Sequence, residues 1–366
     1  MTPPATPEQR EAAGGRRLAT IVHVALLLGG LALFAWLVRS VGPAELLAQL
    51  RRVGWGAALL FLLPTALAFA VETVAWRLAF PERPPVSLPR LYLLYAVGEN
   101  LNGLLPGVSV GGEPYKVLVL QRWGVPVPVA VASVLVLRTV ITLALALFLA
   151  LGLVAALATG GVGRLGGMGP AAAAMAVLAG GGISVVYVLQ RRGLRALVAR
   201  LLGWSRPGRR WLARHDPTLQ RLDEALEGAY RRRRARLALM FGLALAGWTI
   251  EALEVAIFAH ALGIALSPLE VLAIGALALA ATAVGSFVPA SAGVQEGGIV
   301  LVGLGFGLDE PTALAFGLLR RSRQLIYTAL GIAPMALFGS WRPPRRDPAE
   351  GAPSAPPPHP LPQEVP

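Results

Sequence analysis

Seven apolar runs limit what this chain can fold into. Residues 18–38, 57–76, 127–158, 170–189, 237–262, 268–288 and 311–338 form these runs. Each is about the ~20 residues or more that a helix needs to cross ~30 Å of hydrocarbon. Membrane strands would be ~10-residue segments of alternating polarity, a pattern the sequence lacks. The expected class is therefore an all-α polytopic membrane protein, and the composition agrees, with 55% hydrophobic and only 14% charged residues. There is no cysteine, and His23, His215, His260 and His359 show no ligand spacing, so neither metal nor cofactor is expected.

The net charge of +13 does not indicate nucleic acid. Arginines concentrate in residues 190–236, with smaller groups at Arg16-Arg17 and in 342–346. Cytoplasmic loops carry such an excess, so these segments face inside, as do both termini. Residues 1–17 and the Pro-rich 341–366 read as disordered. Residues 43–52 place Leu46, Leu47 and Leu50 on one face, a short helix for the outer interface. The basic 190–236 loop is amphipathic and suits an anionic inner leaflet.

Positive-inside placement of that loop requires 91–123 not to cross fully. The segment dips in, breaks at Pro106 and returns. Residues 268–306 do the same from the other side, breaking near Pro289. The expected architecture is about seven full spans plus two re-entrant helical hairpins in an inverted repeat. The first repeat covers 18–189 and the second 237–340. Irregular backbone at membrane depth must be buried in protein or line a wet cavity. Inverted repeats with broken helices place a site near the midplane.

The repeat is visible in the residues. Without gaps, 106–138 matches 289–321 at an offset of 183: Pro106 falls on Pro289, Glu113 on Glu296 and Arg138 on Arg321. Arg138 lies eleven residues into its run, about 16 Å deep at ~1.5 Å per residue, and Arg321 is at similar depth. Each intramembrane charge costs ~2.5–3.5 kcal/mol on insertion scales, so these arginines need partners or a task. Half-helix N-termini and Lys116, the only lysine, add positive character. The candidate substrate-binding set is Glu113, Lys116, Arg138, Glu296, Arg321, Asn102, Glu72 and Glu251. The alternative for the two Glu–Arg pairs is helix packing alone. For Glu72 and Glu251 the alternatives are proton relay or a hydrogen bond between helices. Arg320 and Arg323 cannot share one cavity with Arg321, so one of them is expected to pair with Glu251 or Glu254. No Walker loop, HExxH or nucleophile elbow is present, and no catalytic residue is expected.

Asn102-x3-Pro106, Gly111-Gly112-Glu113-x2-Lys116 and Arg138, followed by Val288-Pro289-x3-Gly293-x2-Glu296, Ala313 and Arg321, resemble the membrane region of bacterial lysylphosphatidylglycerol synthase. The wider flippase-like group includes hopanoid-associated members. The resemblance covers nearly all of 18–338. It implies a multi-pass protein of the bacterial cytoplasmic membrane that handles a phospholipid or another polar-headed lipid. Lys116 stands where the family often has Arg, and Ser291-Ala292-Gly293 replaces a more Gly-rich, Pro-containing run. The soluble aminoacyl-transferring domain has no counterpart in the sequence, so that reaction is not expected. The leading expectation is a lipid translocator that binds an anionic or polar headgroup between the repeats. The second is a non-transporting partner presenting lipid to a lipid-modifying or glycosyltransferase enzyme. A lipid-synthesis enzyme and a second copy of the chain are the expected protein partners.

Overall fold

The computed structural model describes residues 39, 43–104, 112–161, 180–181, 184, 193–202, 204–231, 234–285 and 293–337. The expected spans at 18–38 and, apart from three residues, 170–189 lie outside them, as do both termini and the helix breaks expected at Pro106 and near Pro289. The described residues form eleven helices and no strand. These are α1 Pro43–Leu60, α2 Leu63–Ala79, α3 Leu88–Leu104, α4 Gly112–Arg122, α5 Val127–Ala158, α6 Leu194–Leu202, α7 Arg206–Arg231, α8 Arg234–Ala261, α9 Pro268–Gly285, α10 Val294–Gly305 and α11 Glu310–Leu337.

Local sequence explains the boundaries. Gly54, at φ 73 and ψ 157, breaks α1 into two pieces. Few residues other than glycine tolerate that backbone. The first piece holds the short amphipathic segment expected at 43–52. Pro64 sits in the first turn of α2, where a missing N–H leaves no bond unmade. Among the described residues, three stretches are long and apolar enough to cross a membrane: Leu47–Ala79, Val127–Ala158 and Arg234–Ala261. In α9 and α10 the apolar stretches, Pro268–Thr282 and Val294–Gly305, are shorter. At ~1.5 Å per residue, the 11-residue α4 and the 12-residue α10 reach only about 17 Å and 18 Å.

Two large hydrophobic cores hold the helix ends. The first gathers Ala79 and Phe80 at the end of α2, Val86 and Leu91 at the start of α3, and Leu120 and Trp123 at the end of α4. Val125 and Ala130 at the start of α5 and Leu222 of the basic α7 complete it. The second gathers Phe258 of α8, Val302 and Phe306 at the end of α10, Ala313 and Leu314 at the start of α11, and Ala155 and Ala156 at the far end of α5. Val53 and Phe61 join that second core. Both ends of the α3–α4 hairpin therefore meet the start of α5, and the end of α10 meets the finish of α5.

The repeat extends to whole elements. Offsetting α3, α4 and α5 by 183 reproduces the starts of α9, α10 and α11 to within three residues. Contacts follow the same mapping. α3 packs on α4 as α9 packs on α10, and α4 on α5 as α10 on α11. Across the halves, α3 packs on α11 and α5 on α9, while α2 packs on α8. Small residues permit the close approaches. A Cβ on Gly112 would stand 2.0 Å from the Gly98 carbonyl oxygen. In the second hairpin a Cβ on Gly298 would stand 2.6 Å from that of Ala281, the residue matching Gly98.

Candidate functional site

The first hairpin and α5 assemble four charges. Lys116, from α4, hydrogen-bonds Glu99 of α3 and lies 3.3 Å from Glu113. Arg138, from α5, lies 3.3 Å from Glu99 and 3.7 Å from Glu113. Asn102 fixes the corner: its Nδ2 donates to Glu113 at 3.2 Å and its Oδ1 accepts the Gly112 N–H at 2.8 Å. Lys116 is enclosed, its ammonium 4.8 Å from the Tyr95 ring centre and 5.8 Å from that of Trp76. Such placement over an aromatic face favours a desolvated cation. The lysine side chain is 1% exposed whereas that of Arg138 is 33% exposed, so the guanidinium is the accessible face of the cluster.

Glu99 links the two cations, and sequence reasoning missed it. Thr282 occupies its matching position, so the repeat gave no signal. The available signal was an acid inside an apolar helix, which is rare enough to merit attention by itself.

The second hairpin is simpler. Arg321 donates to Glu296, whose other oxygen accepts the Gly293 N–H at 2.9 Å. Glu296 is fully buried. Ile299 matches Lys116, so the pair stands without a second cation of that origin. Open helix N-termini were expected to present their N–H groups to an anion. At these starts the Glu296 carboxylate takes the Gly293 N–H and Asn102 takes the Gly112 N–H.

Glu251 belongs to a third group. Arg323 lies 2.9 Å from both Glu251 and Glu254, and Arg320 lies 3.1 Å from Glu254. Arg323 also donates to Thr65 of α2, and the Tyr327 hydroxyl donates to the Leu62 carbonyl at 2.7 Å. These bonds tie α11 to α8 and to the start of α2. The positions matching Glu251, Glu254, Arg320 and Arg323 in the first half are Ala68, Val71, Leu137 and Val140. The buried network is thus a property of one half only.

Glu72 stands apart from the cations. It is buried in α2 and accepts a hydrogen bond from Tyr95 at 2.9 Å. Among the described residues no group of three or more His, Asp or Glu side chains is arranged to hold a metal.

No curated protein matches the sequence. A family model does, over residues 21–331, and its description is the lysylphosphatidylglycerol synthase TM region. With apolar helices of membrane length and a match across most of its length, the chain is an integral membrane protein that belongs to the lysylphosphatidylglycerol synthase transmembrane-region family.

Proposed function

We propose that this protein translocates a lipid with an anionic or polar headgroup between the leaflets of the bacterial cytoplasmic membrane. The carrying observation is the partly exposed Arg138 over Glu99, Glu113 and the enclosed Lys116, beside an α4 of 11 residues that is too short to span by itself. Lipid-facing cost makes such a cluster useful only where a polar group enters. A guanidinium offers a planar fork suited to phosphate or carboxylate.

The gathering of helix ends supports two re-entrant hairpins of opposite sense. α3–α4 opens at the end of the bundle where α5 begins, beside the basic α7. α9–α10 opens where α5 finishes. On this reading α7 marks the cytoplasmic side, and its exposed Arg209, Arg210, Arg214 and Arg221 rest against anionic inner-leaflet lipid. The first cluster then faces inward, and the Glu296–Arg321 pair serves the opposite leaflet. The buried network on α11 ties α11 to α8 and to the start of α2, whereas the Arg138 cluster joins α3, α4 and α5.

The test is flipping of headgroup-labelled phospholipids by purified protein in proteoliposomes. Wild type is expected to flip, and Glu99→Gln and Arg138→Ala to reduce the rate at least about tenfold, the cost of one ~1.4 kcal/mol contact. Absence of flipping for every lipid class with folded wild type would overturn the proposal.

A further inference from the structure

Six glutamates lie inside the described helix bundle, and five have a cation at ion-pair distance: Glu99, Glu113, Glu251, Glu254 and Glu296. Among the described residues Glu72 has none; its hydrogen-bond partner is the neutral Tyr95 hydroxyl. It sits at the contact of α2 with α8. There a Cβ on Gly247 would stand 3.1 Å from both Cγ and Oε1 of Glu72. This contact is the one that the repeat maps onto itself.

The groups around it do not favour a second negative charge. α3 presents Tyr95 and Glu99, α8 presents Glu251, Arg323 of α11 is committed to Glu251 and Glu254 while Tyr327 of α11 bonds the Leu62 carbonyl, and Lys116 of α4 is committed to Glu99 and Glu113. Arg138 of α5 is paired with Glu99 and lies 3.7 Å from Glu113. The charges of α1, Arg51 and Arg52, are exposed to solvent. A buried carboxyl without a counter-ion takes a proton in preference to a charge.

We propose that Glu72 is a proton-binding site that is filled together with an anionic headgroup at Arg138. The inference rests on the headgroup site proposed above. Two carboxylates and two cations make that cluster neutral, so an entering anion finds no spare cation. Tyr95 joins Glu72 to the cluster, through its hydroxyl on one side and its ring under Lys116 on the other, and a proton on Glu72 removes a negative charge there. At pH values where the empty site keeps its proton, the headgroup enters with no proton exchange; at higher pH its entry draws a proton from water and its departure returns it.

The test is binding of a fluorescent phosphatidylglycerol to the full chain in detergent micelles over the neutral pH range, where its phosphate does not titrate. Wild-type affinity is expected to fall as pH rises, approaching about tenfold per pH unit once Glu72 loses its proton. Glu72→Gln keeps the Tyr95 bond and is expected to bind with little pH dependence. Tyr95→Phe, which removes only the hydroxyl, is expected to shift the pH at which affinity falls. A wild-type affinity independent of pH, or the same pH slope in Glu72→Gln, would overturn the proton site while leaving the headgroup site standing. Failure of wild type to bind the lipid at any pH would overturn both.

Discussion

Lys116 occupies a space with almost no solvent, and its neighbours account for its tolerance there. Glu99 and Glu113 supply charge, Tyr95 and Trp76 supply aromatic faces, and Gly98 supplies room. Replacing Glu99 by Gln leaves Lys116 with Glu113 alone and Arg138 with a weaker partner. Breaking a buried pair typically costs ~3–5 kcal/mol, and the retained Glu113 contact places this change near the lower end. Thermal unfolding in detergent should show the lowered midpoint; a variant as stable as wild type would show that Glu99 does not hold the cluster. Sequence reading found Glu113, Lys116 and Arg138 because they recur at an offset or carry the only ammonium. It missed Glu99 because hydrogen bonding between α3 and α4 is set by a hairpin geometry that spacing along the chain does not encode.

At the scale of elements, glycine placement separates two effects. A Cβ on Gly98 would meet the flexible Lys116 side chain at 2.2 Å. Gly98→Ala is expected to displace the lysine and impair headgroup binding while the fold persists. A Cβ on Gly112 meets backbone at 2.0 Å and has no such relief. Gly112→Ala is expected to splay the α3–α4 hairpin at a cost on the order of 3 kcal/mol. Comparing folded yield by size-exclusion chromatography with lipid binding distinguishes the two; equal behaviour of the variants would contradict it. The α8–α11 network offers a second test, because the first half fills the matching positions with apolar residues. Glu254→Val alone strands Arg320 and should destabilise by about 3–5 kcal/mol. Adding Arg320→Leu should recover most of that in denaturant unfolding. No recovery would mean that Arg320 is held by something other than its charge partner.

Across the whole molecule, the sequence revealed the family, the helical class, the gapless repeat and the arginine-rich segment. The family rests on the resemblance of its spaced motifs; the helical class and the arginine-rich segment are properties of composition and periodicity, which the bilayer constrains strongly. Pairing within the repeat was less legible. The expected pairing of Arg320 or Arg323 with Glu251 or Glu254 is present, but the sequence does not say that Arg323 takes both glutamates, because a helix face is decided by which neighbour it packs against. The asymmetry between the halves was open to inspection at the matching positions, yet it acquires meaning only once Arg320 and Arg323 of α11 are seen to pair with Glu251 and Glu254 of α8.

The central claim is that two short hairpins open toward opposite leaflets and bring their charges to one path. Cysteine-free sequence makes it directly measurable. Single cysteines placed at Arg83, Gly124, Ile264 and Leu308 mark the two ends of each hairpin. In sealed cells, an impermeant thiol reagent should label positions 264 and 308 and leave 83 and 124 protected until the membrane is opened. Labelling of 83 and 124 from opposite sides would make α3–α4 a crossing element and contradict the account.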